Sequence, residues 1–474
     1  MLARLAKLPA PLIYAASVAL ERSFSLITIP LMAAYLSPGA YGNFDVAVAC
    51  SELAIMIVGL GMIEQLIRFA STANSADEEA RCAGEVMGCA MLTATCGALA
   101  ALFIAPHLQA ALSLEIGLPA LQFMLVAACL NNLMALPTAW LRLTDDATGY
   151  LQVVASRTLC QVGGIALALT QGYGADGVLI SNALVLIAFS IWLGYRQSLS
   201  TPFRLSTRRF AQVGNYGAPI VGAMIAMFML GSANRLFLSQ WVNADVLGQF
   251  GLAARLSLAT ILLLYPLELW WLPKRIAALK EPGGLERSAE VWGMGFGILV
   301  LSAMGVSLLG PIFIHAFLPT TYLGAIALLP LLVITQVLHA VSGITEVGSY
   351  ARETGYRVLA IDVLGAAAAI IGFALLIPSY GAYGAIAAVI VAQALRISAY
   401  VIDGKTLAPI RYRWPQGTLV AIAASCFVIF APDASDYADR LLWTVFASAA
   451  LLVVIPLTGL ISITTLPEMR ARFS

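Results

Sequence analysis

Charged side chains are scarce in this sequence, since Asp, Glu, Lys and Arg make up only 11% of its 474 residues. A soluble domain contains about 25%, so the composition excludes a soluble enzyme. The 26 basic residues nearly balance the 25 acidic ones, which leaves a formal net charge of +1. Nucleic-acid binding needs a basic surface, and this balance therefore argues against a nucleic-acid partner.

Cysteine and histidine are also rare. Seven Cys residues, most of them inside apolar runs, do not make a disulfide framework. The three His residues stand apart from one another, and no zinc-binding motif surrounds them. A G-x-G-x-x-G pattern at residues 172–177 joins two apolar runs and follows no strand, so it is not a dinucleotide site. We expect no metal and no cofactor.

Long apolar runs dominate what remains, and 61% of the residues are hydrophobic. A helix that crosses a membrane needs about 20 mostly apolar residues. Fourteen segments meet this requirement, with approximate limits 10–36, 42–66, 84–106, 117–141, 149–171, 175–195, 210–239, 245–272, 289–316, 322–349, 356–378, 382–401, 416–431 and 440–464. The sequence therefore predicts an all-α polytopic membrane protein with about 14 transmembrane helices.

The basic residues indicate which side of the membrane each connection faces. Most of the 26 lie near the amino terminus, in the even-numbered connections or in the carboxyl-terminal tail, and Arg440 alone borders an odd-numbered connection. Lys and Arg collect on the cytoplasmic side of membrane proteins. Both termini are therefore predicted to be cytoplasmic, which requires an even number of spans. Twelve and fourteen both fit, because the span near 416–431 is short.

The sequence contains an internal duplication. Residues 35–44 read YLSPGAYGNF and residues 241–250 read WVNADVLGQF, at an offset of 206 residues. The triplet at 148–150 recurs at 354–356 with the same offset, and the one at 173–175 recurs at 380–382 with an offset of 207. Six spans separate the copies, so the two halves have the same orientation, a parallel repeat typical of transporters. We expect six-helix halves at 1–200 and 201–405, followed by two additional transmembrane helices at 406–474.

The motif in residues 35–44, its second copy, and the Gly-rich run at 380–385 resemble the Wzx-type polysaccharide flippases of the MOP superfamily. The resemblance covers about residues 10–405. It implies a transporter, not an enzyme, that turns a polyprenyl-diphosphate-linked oligosaccharide from the cytoplasmic to the periplasmic leaflet of a bacterial inner membrane by alternating access. The implied partners are this substrate, the lipid bilayer and other polysaccharide assembly proteins.

Two other functions remain open. The MATE branch of the same superfamily consists of cation-coupled exporters of small amphiphiles. A membrane-embedded polysaccharide polymerase is the third reading, but such enzymes usually have a large loop outside the membrane, and the longest connection here has fewer than about 20 residues. A transport assay with a drug-efflux control separates the first two functions.

Ionisable side chains inside the spans are costly and usually mark a cavity or a pathway. Most of them lie in spans 1, 2, 7 and 8, which the duplication pairs, so we predict a polar lumen between the halves. The full set is Glu21, Arg22, Asp45, Glu52, Glu64, Glu85, Arg157, Arg235, Arg255, Glu268, Glu346 and Asp362.

The substrate diphosphate needs cationic partners, because uncompensated charge in a low-dielectric region costs several kcal/mol. We predict that Arg22, Arg235 and Arg255 bind it, and that Asp45 or Glu52 carries a coupling proton or Na⁺. Many relatives have an Asp-Arg pair where this chain has Asn234 before Arg235, so Arg235 is expected to be free of a carboxylate partner. The alternative is that each arginine forms a salt bridge with Asp45, Glu52 or Glu21 and holds helices together.

Overall fold

The computed structural model describes residues 10–73, 75–272, 274–351 and 356–461, and all regular secondary structure within these ranges is helical. By their contacts the residues divide into two compact units, 1–248 and 249–474. The repeat halves predicted at 1–200 and 201–405, and the additional helices at 406–474, were defined by sequence similarity and not by contacts. They therefore stay a prediction.

The first unit contains ten complete helices in its described part. In chain order they are α1 (Ala10–Tyr35), α2 (Pro38–Gly59), α3 (Met62–Ser71), α4 (Ala76–Ala111), α5 (Leu118–Leu130), α6 (Asn132–Leu143), α7 (Ala147–Thr170), α8 (Gly174–Ser200), α9 (Thr207–Gly231) and α10 (Asn234–Leu238). A further helix, α11 (Ala244–Ser257), begins in this unit and ends in the second.

The second unit continues with longer helices and three 3₁₀ segments. The helices are α12 (Tyr265–Trp271), α13 (Arg275–Ala278), α14 (Gly284–Phe317), α15 (Ala325–Thr345), α16 (Tyr356–Lys405), α17 (Trp414–Ile429) and α18 (Tyr437–Leu457). The 3₁₀ segments are Leu258–Ile261, Thr320–Tyr322 and Glu346–Ala351.

Each of the fourteen predicted spans contains a helix, so the all-α polytopic membrane fold is confirmed. Ten helices of the described chain are long and apolar enough to cross a membrane. Capping residues mark the start of some of these helices. At α2 the hydroxyl of Ser37 accepts a hydrogen bond from the N–H of Ala40, and Pro38 occupies the first turn, where its missing N–H costs nothing.

Several spans are broken, which hydropathy did not predict. The second span is divided at Leu60 and Gly61, whose φ angles of 46° and 60° leave the helical region. A β-carbon on Gly61 would lie 2.6 Å from Cγ2 of Ile220, so the break also brings α3 against α9. The spans near 117–141, 210–239 and 245–272 are also divided into shorter helices, but without residues of positive φ at the divisions.

The predicted spans 356–378 and 382–401 form one hairpin. Gly381 separates the two arms of α16 with φ 54° and ψ −129°, a conformation that side chains with a β-carbon strongly disfavour. Arg357 contacts Asp403 and a β-carbon on Gly372 would contact Ala388, so the arms run antiparallel. In this hairpin, a residue before Gly381 and a residue about equally far after it lie at the same depth in the membrane.

The helices after residue 405 share the core of the second unit. The cluster centres on α14, with Trp292, Phe296 and Leu299, and includes side chains of α17 and α18 such as Val420 and Leu451. Arg440 of α18 is buried and donates through Nε to the carbonyl oxygen of Leu308, 2.9 Å away. The two appended helices are therefore packed into this unit.

The duplication is visible in equivalent contacts. Asn43 accepts a hydrogen bond at 3.0 Å from the backbone N–H of Glu115 in the first unit. In the second unit Gln249 donates at 3.0 Å to the backbone carbonyl of Thr321. Both partners are displaced by the same 206 residues that relate Asn43 to Gln249. The side chain that follows the motif glycine thus fixes the same connection in each unit.

Candidate functional site

Two of the predicted site residues meet in the first unit. Asp45 lies on α2 and Arg235 on the short helix α10, and Nε of Arg235 lies 2.5 Å from Oδ2 of Asp45. The side chain of Asp45 is 3% exposed and that of Arg235 is 13% exposed. The expectation that Arg235 lacks a carboxylate partner is therefore wrong: the partner comes from α2 instead of from position 234.

The break between α9 and α10 positions this arginine. After the end of α9 at Gly231, two residues intervene before α10 begins at Asn234. Ala233 packs in a buried cluster with Phe228 of α9 and Ala49 of α2. Because Ala49 lies one turn after Asp45 on the same face of α2, this packing holds Arg235 against the carboxylate.

The second predicted coupling residue lies on the same face of α2. Glu52 follows Asp45 by seven residues, or about two helical turns, and it is half-buried. Leu53 and Met56 beside it pack against the cluster of Phe228 and Ala233. One face of α2 therefore carries both predicted carboxylates toward α9 and α10.

Asn234 directly precedes Arg235 on α10 and has a buried polar side chain. Its side chain is buried, and its amide oxygen accepts no hydrogen bond from the part of the chain that the structure describes. A buried acceptor without a donor costs about 1–3 kcal/mol, and such groups occur where water or a ligand donor binds. The position immediately before Arg235 in the sequence thus holds a buried acceptor that could receive such a donor.

The structure gives no phosphate-binding geometry for the other two predicted arginines, Arg22 and Arg255. The side chain of Arg22 lies outside the described residues, although α1 runs through this position. The neighbouring Glu21 forms a salt bridge with Arg157 of α7. Arg255 is half-buried on the part of α11 that belongs to the second unit. A cationic lining made by Arg22, Arg235 and Arg255 therefore stays a prediction.

The second unit contains a buried charged pair that the sequence reading missed. Nε of Arg396 donates to Oδ1 of Asp362 at 2.7 Å across the arms of α16, and the hydroxyl of Tyr400 donates to the same oxygen at 2.6 Å. The side chains of Arg396 and Asp362 are 2% and 8% exposed. Gln393 and His339 of α15 form a hydrogen bond of 3.1 Å beside them.

A signal for this pair was present in the sequence. Asp362 lies six residues after the start of its predicted span, and Arg396 five residues before the end of the next span. In an antiparallel hairpin these positions have the same depth. Arg396 lies near the predicted cytoplasmic end of its span, where a linear charge distribution groups it with the border residues and not with the intramembrane charges.

A second salt bridge of this unit joins α13 to the 3₁₀ segment Glu346–Ala351. Nη1 of Arg275 donates to Oε1 of Glu346 at 3.0 Å, and the guanidinium lies over the ring of Tyr350. The adjacent Thr345 accepts at 3.1 Å from Nε1 of Trp292. Tyr412, in the connection before α17, donates to the carbonyl oxygen of Thr345, and burial raises its pKa, so the phenol stays protonated. These contacts connect the 3₁₀ segment Glu346–Ala351 and the end of α15 to α13, α14 and the connection before α17.

Metal binding finds no support in the described part of the chain, which contains no group of three or more His, Cys, Asp or Glu side chains that could hold an ion. The arrangement is electrostatic in character, because arginines and carboxylates are paired in buried positions of the helices.

Comparison with known proteins adds a family and a fold. The family model described as "Polysaccharide biosynthesis protein" matches residues 12–273. No curated protein matches the sequence.

Solved structures resemble most of the chain. A lipid II flippase MurJ in an inward closed conformation superposes with a TM-score of 0.77 at 13% identity, covering 94% of this chain and 98% of that one. An inward-facing MATE multidrug resistance transporter of the MOP superfamily gives 0.58 at 16% identity, with 85% and 96% coverage. An outward-facing one gives 0.52 at 17% identity, again with 85% and 96% coverage. At these identities the likeness establishes the fold.

Proposed function

The chain belongs to the polysaccharide biosynthesis protein family, and from this premise we propose that it is a lipid-linked oligosaccharide flippase. It turns a polyprenyl-diphosphate-linked oligosaccharide from the cytoplasmic to the periplasmic leaflet of a bacterial inner membrane by alternating access. The family match over residues 12–273 carries the proposal, and the likeness to a lipid II flippase structure supports it. Both termini are cytoplasmic in this proposal, as the distribution of basic residues indicates.

The salt bridge between Arg235 and Asp45 gives the proposal a physical mechanism. A diphosphate carries about two negative charges, and a guanidinium matches phosphate oxygens with forked donors while staying protonated. Arg235 already stands inside the membrane-spanning part of the first unit, balanced by a carboxylate. A substrate phosphate can replace that carboxylate without leaving the arginine unpaired.

Exchange of partners also provides coupling. Once phosphate occupies Arg235, the buried carboxylate of Asp45 loses the arginine as a partner, which favours uptake of a cation or a proton. Release of the substrate restores the salt bridge and expels that charge. Glu52, two turns along the same face of α2, is the second acid in this proposal. Moving one charge across the membrane is worth about 2.3 kcal/mol per 100 mV, enough to drive the cycle in one direction.

Arg22 and Arg255 complete the proposed lining for the diphosphate. The sugar chain of the substrate is passed on to other polysaccharide assembly proteins on the periplasmic side. No covalent bond changes in this cycle, so the proposal requires no catalytic group.

The test is translocation in vesicles that contain the purified chain. A fluorescent polyprenyl-diphosphate-linked oligosaccharide is placed in both leaflets, and an impermeant reagent quenches the molecules that reach the outer one. We expect complete quenching with the chain and about half without it, and no efflux of cationic dyes in parallel vesicles. Dye efflux without oligosaccharide translocation would instead support a MATE-like exporter, which the MATE structures make the second candidate.

A further inference from the structure

A groove opens between the two arms of α16 at the end that is predicted to face the cytoplasm. Its volume is about 560 Å³, which is enough for a small molecule or for the polar head of a lipid. Arg357 and Ile361 line it from the first arm, and Ala399 and Asp403 line it from the second. These residues all belong to the second unit.

The walls of the groove are apolar. The antiparallel register of the arms places Ile361 opposite Ala399, one helical turn deeper in the membrane than Arg357 and Asp403. The small side chain of Ala399 leaves space that a larger residue would fill. Ile402 also lines the groove and is 67% exposed, as expected of an apolar side chain that contacts the hydrocarbon of a bilayer. The walls therefore suit an acyl chain.

The cytoplasmic end of the groove carries one cation and one anion. Nη1 of Arg357 donates to Oδ1 of Asp403 at 2.5 Å. The side chain of Arg357 is half-exposed, whereas that of Asp403 is only 9% exposed. Thr406 lines the same end, and its hydroxyl donates to the backbone carbonyl oxygen of Asp403 at 2.8 Å. Because the two charges balance, this end complements a ligand that itself carries both signs.

The salt bridge leaves hydrogen-bonding capacity on both partners. A guanidinium has five N–H donors, and within the described part of the chain Arg357 donates through Nη1 alone. Oδ2 of Asp403 is buried and accepts no hydrogen bond from the same part of the chain. Buried polar atoms are nearly always paired, so this oxygen lacks a donor that a ligand can supply. The Cβ–Cγ torsion of aspartate is soft, which allows the carboxylate to turn toward such a donor.

A phosphoethanolamine headgroup has the matching groups. Its phosphate oxygens accept hydrogen bonds from a guanidinium, and its primary ammonium donates to a carboxylate. A phosphocholine headgroup has no N–H with which to donate to Asp403. An anionic phosphoglycerol headgroup would bring a second negative charge to this carboxylate without a cation to balance it. Among these three headgroups, phosphoethanolamine therefore fits the groove best.

We propose that the groove between the arms of α16 is a binding site for phosphatidylethanolamine. Arg357 binds the phosphate, Asp403 binds the ammonium, and the apolar walls contact the start of an acyl chain. Since the lipid touches both arms, its binding stabilises the hairpin. The site does not depend on the proposed flippase function.

The chain offers a matched control. Nη1 of Arg287 lies 3.0 Å from Oε2 of Glu281, in a connection on the predicted cytoplasmic side of the same unit. Both side chains are exposed, and neither lines the groove. Arg287→Ala therefore removes a comparable salt bridge at another place.

The experiment titrates the full purified chain in detergent with dioleoyl phosphatidylethanolamine, and native mass spectrometry measures the Kd of the first bound lipid. Arg357→Ala and Asp403→Asn should each weaken binding by about tenfold, the usual effect of losing a hydrogen bond to a charged group. Arg287→Ala should leave the Kd unchanged. Ala399→Leu, which keeps both charges but fills the groove, should weaken binding to a similar extent. Phosphatidylcholine and phosphatidylglycerol with the same acyl chains should bind the wild-type chain more weakly.

The opposite outcomes are equally clear. Equal affinity of the wild-type chain and Ala399→Leu would overturn the site, as would an equal loss of binding in Arg287→Ala. Binding of phosphatidylglycerol as tight as that of phosphatidylethanolamine would show that Asp403 does not select the headgroup, which also overturns it. If Arg357→Ala fails to fold, Ala399→Leu decides by the same measurement, because it leaves the salt bridge in place.

Discussion

Gly42 and Gly248, which the duplication makes equivalent, are in reciprocal contact. A β-carbon on Gly42 would lie 2.7 Å from the carbonyl oxygen of Ala244 and 2.7 Å from the backbone N of Gly248. A β-carbon on Gly248 would lie 1.8 Å from the carbonyl oxygen of Pro38. Because Pro38 and Ala244 are themselves separated by 206 residues, each copy of the motif presents its glycine to the first turn of the other. The glycine of each copy therefore allows the backbones of α2 and α11 to pack closely against each other.

Replacement of Gly248 by Ala should break this contact. The added methyl group meets main-chain atoms of Pro38, which have no rotamer with which to move away. Overpacking of this kind costs about 1–3 kcal/mol in the free energy of unfolding. Gly163→Ala is the control, since nothing lies within 4 Å of a β-carbon there. Denaturant unfolding in detergent measures both, and equal stability of the two variants would contradict the contact.

The turn glycines Gly174 and Gly381 should tolerate substitution to different extents. Gly174 has φ 58° and nothing within 4 Å of a β-carbon, so Gly174→Ala should cost only the left-handed backbone strain of about 1–2 kcal/mol. Gly381 combines φ 54° with ψ −129°, which is outside the left-handed helical region, so Gly381→Ala should cost more. Gly343→Ala, within α15 and in open space, is the control. A smaller loss of stability at Gly381 than at Gly174 would contradict this ranking.

The salt bridge between Asp362 and Arg396 predicts strong coupling between two substitutions. Removing one partner of a buried pair costs about 3–5 kcal/mol, because the other charge is left without compensation. Asp362→Asn and Arg396→Gln should each destabilise the second unit by this order, whereas the double variant should cost clearly less than the sum. A double-mutant cycle in unfolding free energy measures the difference. Additive costs would mean that the two charges do not depend on each other.

Hydropathy and charge distribution predicted much of the fold, because the bilayer imposes a fixed length on each span. The breaks at Leu60, Asn131 and Ser232 were not predicted, since they depend on contacts such as that of Gly61 with Ile220 and leave apolar composition unchanged. The family resemblance likewise predicted the fold class, but it did not predict which charged side chains form salt bridges with each other.

The site was predicted less completely than the fold. The sequence identified Asp45 and Arg235 as intramembrane charges, but not that they bind each other, because they are 190 positions apart and meet only through the packing of α2 on α9 and α10. Arg396 was overlooked for a different reason. Its depth follows from the hairpin geometry at Gly381, which a linear hydropathy profile does not contain.

The most direct test of the account is the rate at which vesicles containing the chain translocate a polyprenyl-diphosphate-linked oligosaccharide when Arg22, Arg235 and Arg255 are all replaced by Ala. The control is Arg157→Ala, which removes an arginine that forms a salt bridge within the spans but belongs to no proposed lining. The account predicts loss of translocation in the triple variant, at normal expression and insertion, and a substantial rate in the control. Full translocation by the triple variant would contradict it.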